Sequence, residues 1–468
     1  MNKFINYFLF NCISISIIFP QQLDILSFIQ EPEDPVYTVQ SGDTLSYIAG
    51  LFGVSVNEII SRNNIDNANA LAVGTDLSIP GLDGITGTLE VTTIPLGENL
   101  DSLLIKNNLS KETLVTLNHI TIPSEIFSGS RLIIPTVDDT NELIPVLGVE
   151  EGNTWLEMAI LQGINPWSML NINQKEHSWM LVPGDKVFTL KDSNTENMEI
   201  NPISPAIEEL TIDPLPLEQG STVEIKVETN VPLQLEGEMA GFTLHFQPIG
   251  ENKYVAFQGL SAVQEPGLVN FSITGDSEEG RILDFSQFIL NEDINFGELM
   301  LLTVAPETID QASIEQDEKL IRQYTSVPST QKYWQEKFIY PVDEPWINAR
   351  YGQERVYNGS YIYYHTGTDF GVNTSNLNIY APAPGKVVFA GPTIIRGNYT
   401  LIDHGWGILS GFAHQNQIQV QEGDFVETGQ LIGQIGSTGR STGPHLHWDL
   451  WVNGVLVNAL DWIENNYP

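Results

Sequence analysis

The 468 residues carry 20 Lys and Arg against 59 Asp and Glu, a formal charge of −39 that repels phosphate backbones and argues against nucleic acid as a partner. The single cysteine, Cys12, leaves no disulfide framework, no thiolate metal site in the body of the chain and no cysteine nucleophile. The length predicts several domains, and the acid lies upstream, with 15 basic against 48 acidic residues before Phe338 and five against 11 from there on.

Residues 4–19 are mostly apolar, follow Lys3 and precede Pro20, which is the layout of an export signal or membrane anchor within residues 1–30. Asn6 and Asn11 interrupt the apolar run and no small-x-small site follows, so cleavage and retention both stay open. Leu9-Phe-Asn-Cys12 is only loosely similar to a lipoprotein box, because Asn11 is a poor residue before the cysteine. The protein is therefore expected outside the cytoplasm, as secreted or membrane anchored, with this segment its one membrane contact.

A self-similarity of 55 residues follows. Tyr37-Thr-Val-Gln-Ser-Gly42-Asp-Thr-Leu45 is echoed by Ile94-Pro-Leu-Gly97-Glu-Asn-Leu100 and by Val149-Glu-Glu-Gly152-Asn-Thr-Trp155. A second glycine comes 32 residues after the first in each copy, at Gly74, Gly129 and Gly184. The pattern predicts a strand, a helix over 45–52, a Val-Ser-Val-Asn turn capping a helix over 56–62, then Asn63 and a closing strand. These βααβ units span 36–80, 91–135 and 144–190. Through Val-x-x-Gly-Asp-Thr-Leu, Asn63 and the Leu-Ser-Ile-Pro80 ending, the first copy resembles the lysin motif (LysM). That resemblance implies binding of glycans containing N-acetylglucosamine, such as peptidoglycan or chitin. The later copies drift; the third, with Trp155, Trp167 and Trp179, is expected to bind weakly or only to pack. Several weak sites on one tether would raise avidity.

Residues 191–205 have linker composition. Over 206–305 the period changes to two, as in Thr222-Val-Glu-Ile-Lys-Val-Glu, Phe242-Thr-Leu-His-Phe, Tyr254-Val-Ala-Phe and Gly267-Leu-Val-Asn-Phe-Ser-Ile, predicting a β-sandwich. Residues 306–337 hold a connecting helix with Ile309, Ile314, Leu320 and Ile321 on one face. His119 and His177 read as surface or capping residues and His245 as an isolated strand histidine.

Five of the eight histidines lie between His365 and His447, in a β-rich, glycine-punctuated stretch over 338–468 expected to form one antiparallel domain. In His445-Leu-His447 the alternation of a strand aims both imidazoles to one side. His365-Thr-Gly-Thr-Asp369 offers an imidazole and a carboxylate, with Gly367 letting the backbone curve. With no thiolate at hand, these are the donors zinc selects. His365, Asp369 and one strand histidine make three ligands, leaving a tetrahedral position for a water whose pKa zinc lowers to about 7. His414 and the other strand histidine are then placed to take a proton and stabilise an oxyanion. Gly439-Arg-Ser441-Thr-Gly443 matches a nucleophile elbow only in letters, since proline and a strand follow instead of a helix. His404, beside Asp403, reads as structural.

His365-x-Gly-x-Asp369, Phe412-Ala-His414 and Gly436-Ser-Thr-Gly-Arg-Ser-Thr-Gly-Pro-His-Leu-His447 resemble the signatures of the lysostaphin-type zinc endopeptidases, which cut peptide cross-links of peptidoglycan. The resemblance implies that His365, Asp369 and His447 hold Zn2+ and that His414 and His445 are the catalytic pair. It also implies a contributing tyrosine, for which Tyr357, Tyr361 and Tyr363 all remain candidates. Phe412 and Trp406 depart from the family's usual tyrosine and asparagine. These resemblances add cell-wall association, and the expected protein is thus a multidomain, mainly β, peptidoglycan-binding metalloendopeptidase. The alternatives are a silent or self-inhibited wall-binding scaffold or activator of cell-wall hydrolases.

Overall fold

The computed structural model describes residues 34–68, 71–121, 126–136, 143–148, 154–161, 163–175, 186–190 and 203–468. The expected export segment, Cys12, His177, Trp179 and linker residues 191–202 lie outside the described residues. Among the described residues no helix is long and apolar enough to cross a membrane. The chain divides into two compact units, Met1–Thr88 and Leu89–Pro468.

In the first unit, strand Val36–Thr38 pairs antiparallel with Asp76–Ser78 around helices Leu45–Phe52 and Val56–Asn63. Local chemistry sets the helix ends. The Thr44 hydroxyl accepts from Tyr47 N, Gly53 closes the first helix at φ 65°, and Ser55 with Glu58 forms a capping box that starts the second. Tyr37, Ile48, Phe52, Ile59 and Leu77 are buried between them. Asn63 then ties helix to strand: its Nδ2 donates to Ser78 O at 2.8 Å and its Oδ1 accepts from Ser78 N at 2.8 Å.

The second unit repeats the device. Asn118 exchanges the same pair of bonds with Ile133 (2.9 and 2.6 Å), and Asn173 with Phe188 (2.9 and 2.7 Å). Helices Leu100–Lys106 and Lys111–Leu117 precede strand Arg131–Thr136. Helices Trp155–Leu161 and Pro166–Ile172 lie between the antiparallel strands Leu143–Gly148 and Lys186–Leu190. Trp155 packs with Met158 and Val187, whereas Trp167 stays 77% exposed.

Two sheets follow. One orders strands Phe242–Thr243, Gln234–Met239, Gly267–Ser277, Gly280–Glu292 and Leu217–Glu218; the other orders Gln247–Gly250, Lys253–Gly259, Thr222–Thr229 and Ile207–Asp213. Val223, Ile225, Phe271, Ile273 and Ile289 pack between them. The expected strand over 242–246 ends at Thr243, because the chain crosses there from one sheet to the other with Leu244 buried and His245 exposed.

The C-terminal part is built on an eight-stranded sheet. Its path runs Ile347–Ala349, Gly367–Gly371, His445–Val452, Ile408–Gln415, Asn398–Gly405, Gly385–Pro392 and Phe425–Val426, with Val455–Val457 paired to His445–Val452. Phe370, Phe412, Leu446 and Trp448 fill one face with almost no exposure. One departure from an all-antiparallel domain is the parallel pairing of Met300–Leu302 with Glu354–Tyr357. A parallel pair needs a long crossover, and the connection between these strands contains the helix Gln311–Thr325.

Candidate metal centre and cavity

Strand register assembles the centre. Asp369 lies directly opposite His447 in the antiparallel pair, and Ala413, one residue before His414, lies opposite His447 on its other side. Opposed residues bring their Cβ atoms within about 5.5 Å, so residues far apart in sequence meet without any special loop. Gly367 acts differently from expectation: its φ is not positive, but a Cβ there would run into the carbonyl of Trp448 and sit 2.9 Å from His447 Nε2. The glycine provides clearance for the ligand strand, not curvature.

Three donor atoms converge. His365 Nε2 lies 2.9 Å from Asp369 Oδ1 and 3.0 Å from His447 Nδ1, and His447 Nδ1 is 2.8 Å from Asp369 Oδ1. All three residues are buried. The outer atom of each is committed elsewhere. His365 Nδ1–H donates to Arg350 O at 2.7 Å, His447 Nε2–H donates to Asp449 Oδ1 at 2.8 Å, and Asp369 Oδ2 accepts from Arg355 at 2.8 Å. These outer bonds direct lone pairs of His365 Nε2, His447 Nδ1 and Asp369 Oδ1 at one another. Three acceptors facing one another need a positive charge between them, a proton or a metal ion, and the donor set fits a divalent metal.

Electrostatics agree with this. Burial pushes the His365 imidazole down to about 4. Burial opposes charge on His447 too, but the Asp449 and Asp369 carboxylates win and lift it to about 9, so in the metal-free protein a proton stands where a cation fits. Asp369 is held well below the usual carboxylate range: burial opposes this, and the His365 and His447 imidazoles overcome it. Asp449 is lowered likewise, burial being outweighed by His447 and then Arg396.

The other two predicted site residues flank this group. His414 lies 4.8 Å from His445 and 5.8 Å from His447, ring centre to ring centre. Its Nδ1–H donates to Thr438 O at 2.7 Å, while His445 Nδ1–H donates to Gly443 O at 2.8 Å. Both therefore turn Nε2 away from the backbone, and His445 Nε2 is 3.6 Å from Asp369 Oδ1. His414 adopts φ 62°, a left-handed conformation that costs about 1–3 kcal/mol and is held by its amide bond to Arg396 O. Burial first, then the neighbouring His445 and His447, keeps its imidazole neutral.

A cavity of about 580 Å³ opens beside His365, His414 and His447, walled by Tyr361 and Tyr363 and by Ile314 and Asp317 of the helix Gln311–Thr325. Tyr357, Tyr361 and Tyr363 all line it. His404 is fully buried with Nδ1 on Pro384 O and takes no part; Ser441 sits in a turn, its hydroxyl on Gly443 O. Four residues escaped the sequence reading. Arg355 binds Asp369, while Arg396 links Asp449 at 3.3 Å to Asp317 at 2.9 Å. Only Asp449 left a signal, since His445, His447 and Asp449 alternate onto one side of a strand.

Residues 363–459 match the model of Peptidase family M23, and residues 37–80 and 93–135 match the LysM domain. The third repeat does not belong to the matched stretches. Among curated proteins the chain is similar to the peptidoglycan DD-endopeptidase ShyA of Vibrio cholerae, 38% identical over 26% of this chain and 28% of that protein. It is also similar to the DD-carboxypeptidase/endopeptidase Mpg of Neisseria meningitidis, 40% identical over 20% of this chain and 22% of that protein. The matches thus span less than a third of either relative. Among solved structures, the catalytic domain of lysostaphin from Staphylococcus simulans is 26% identical over 28% of this chain and 93% of that one, with a TM-score of 0.21.

Proposed function

We propose that this protein is an exported zinc metalloendopeptidase that binds peptidoglycan and hydrolyses its peptide cross-links. The observation that supports it most is the convergence of His365 Nε2, Asp369 Oδ1 and His447 Nδ1, each with its other polar atom tied outward. Zinc bound by these three would supply Lewis acidity and an acidified water. The remaining work falls to the chain itself. His414, kept neutral chiefly by burial, accepts a proton at Nε2. His445, with Nδ1–H on Gly443 O, presents Nε2 to the same site and, as the imidazolium, would donate there to the oxygen that gains charge when a peptide carbonyl is attacked. The cavity lined by tyrosines seats the peptide, and the LysM domains hold the enzyme on glycan. The M23 domain and the peptidoglycan enzymes among its relatives favour this substrate.

Purified sacculi digested with the full chain, with products identified by mass, should release peptides cut at cross-links. Chelation should abolish release and zinc restore it. Release by His447→Ala at the wild-type rate would refute the ligand assignment.

A second reading is favoured by the helix Gln311–Thr325, whose Asp317 accepts from Ile394 N and Ile395 N and pairs with Arg396 at the cavity wall. In that reading the helix restrains entry of cross-linked substrate.

A further inference from the structure

The loop Gly436–Gly443 carries one more functional group into the site. Arg440 lines the large cavity beside His365, His414 and His447, and also a smaller one of about 80 Å³ beside Asp369 and His445. Its guanidinium lies over the Tyr357 ring at 4.7 Å and near Tyr361 at 6.0 Å, and its amide is fixed on Ile395 O at 2.8 Å. The other arginines of the cavity are already neutralised: Arg355 by Asp369, Arg396 by Asp317 and Asp449, and Arg322 by Glu318. Among the described residues no carboxylate lies within ion-pair distance of Arg440. In a chain of net charge −39, an unneutralised guanidinium beside the metal centre stands out as a recognition group.

A guanidinium resting on aromatic rings is pre-organised; one N–H of Arg440 is held by the Tyr361 hydroxyl, and the others, with no carboxylate partner, can bind one. We infer that Arg440 is a specificity-determining residue that receives a free carboxylate on the peptide stem next to the bond cut, so that the substrate is an acidic cross-link and not an uncharged glycine bridge. The inference rests on the proposed endopeptidase reading and adds the charge of the substrate to it. Neither Arg355 nor Arg396 can take this part without abandoning a buried acid, which would leave that acid uncompensated.

The test uses the full chain and two cross-linked stem peptides that differ only in bearing that carboxylate free or as the carboxamide. Binding to the zinc-depleted protein is measured by calorimetry, and KM and kcat are measured on the zinc-loaded protein. The wild type should favour the free acid about tenfold to a hundredfold in Kd and in KM, the usual worth of a charge-assisted pair, with kcat little changed. Arg440→Gln should bring that ratio close to one, and Arg440→Lys should restore part of it. Equal wild-type affinity for the two peptides overturns the inference, as does a ratio that survives in Arg440→Gln. Preference in binding without any hydrolysis upholds Arg440 and refutes the endopeptidase reading, so the two failures are distinct.

Discussion

Asp449 lies behind His447 in the candidate metal centre, and removing its charge tests whether it supports that site. Its side chain is fully buried; Oδ1 accepts from His447 Nε2–H at 2.8 Å, and Oδ2 accepts from Tyr399 at 3.1 Å and Arg396 at 3.3 Å. In Asp449→Asn the amide oxygen can still accept from His447, so the tautomer survives while the negative charge goes and Tyr399 and Arg396 lose their acceptor. Two effects then oppose each other. A less basic His447 is a weaker ligand, and loss of an outer-shell carboxylate costs about tenfold to a hundredfold in metal affinity. Yet His447, at about 9 in the metal-free protein, must shed a proton for a metal to bind, while His365 at about 4 is already neutral. Wild-type affinity should therefore rise about tenfold per pH unit from pH 7 to 9, with one proton released, and level off above. In Asp449→Asn the proton competes less, so the rise flattens: the loss of affinity is full at pH 9.5 and small at pH 7. Competition against a chromophoric chelator across this range, with calorimetry in buffers of different ionisation enthalpy, measures both. A wild-type affinity flat between pH 7 and 9, or a variant parallel to the wild type throughout, would refute the reasoning.

Further outcomes follow from other parts of the chain. Asn63→Leu deletes the bonds to Ser78 and the one to Ile59 O, and should destabilise the Met1–Thr88 unit by about 2–3 kcal/mol in denaturant titration, with weaker glycan binding. His404 is lowered by burial to about 4 against an ordinary 6.5, so the unfolded chain takes up a proton first as pH falls. Stability present above pH 6.5 should thus drop by about 3 kcal/mol on approach to pH 4, and His404→Phe should lose that part of the pH dependence even if it is less stable at pH 7. Asp317→Asn should speed hydrogen exchange in Gln311–Thr325, since it removes a partner of Arg396 and weakens two amide bonds. If that helix restrains entry, turnover of cross-linked dimers should rise as well; unchanged turnover would make it only a wall.

The sequence carries the candidate ligands, but not what directs them. His365, Asp369, His414, His445 and His447 stood out because histidine is scarce and because a strand aims alternate side chains one way. The repeats were legible through their glycines, Gly42, Gly97 and Gly152; in the structure Asn63, Asn118 and Asn173 keep the same 55-residue period because each satisfies backbone groups of a strand 15 residues on. Gly367 was misjudged because a glycine kept for clearance looks the same in sequence as one kept for a turn. Arg355, Arg396 and Asp317 were invisible because their meaning lies in pairings that exist only once strands and helix are in place.

Those pairings decide the chemistry. An imidazole has two nitrogens and a carboxylate two oxygens, so three ligands alone leave several ways to face a cation. Arg350 O takes His365 Nδ1–H, Asp449 takes His447 Nε2–H and Arg355 takes Asp369 Oδ2, which leaves each ligand one free atom and one arrangement. Two of these partners are themselves charged and buried, and a lone buried charge would be costly. Arg355 is balanced by Asp369 itself, whereas Asp449 needs Arg396, and Arg396 in turn holds Asp317 on the helix that walls the cavity. The helix is thereby coupled to His447 through two buried ion pairs, so a change that moves the cavity wall also loosens the support of a candidate metal ligand.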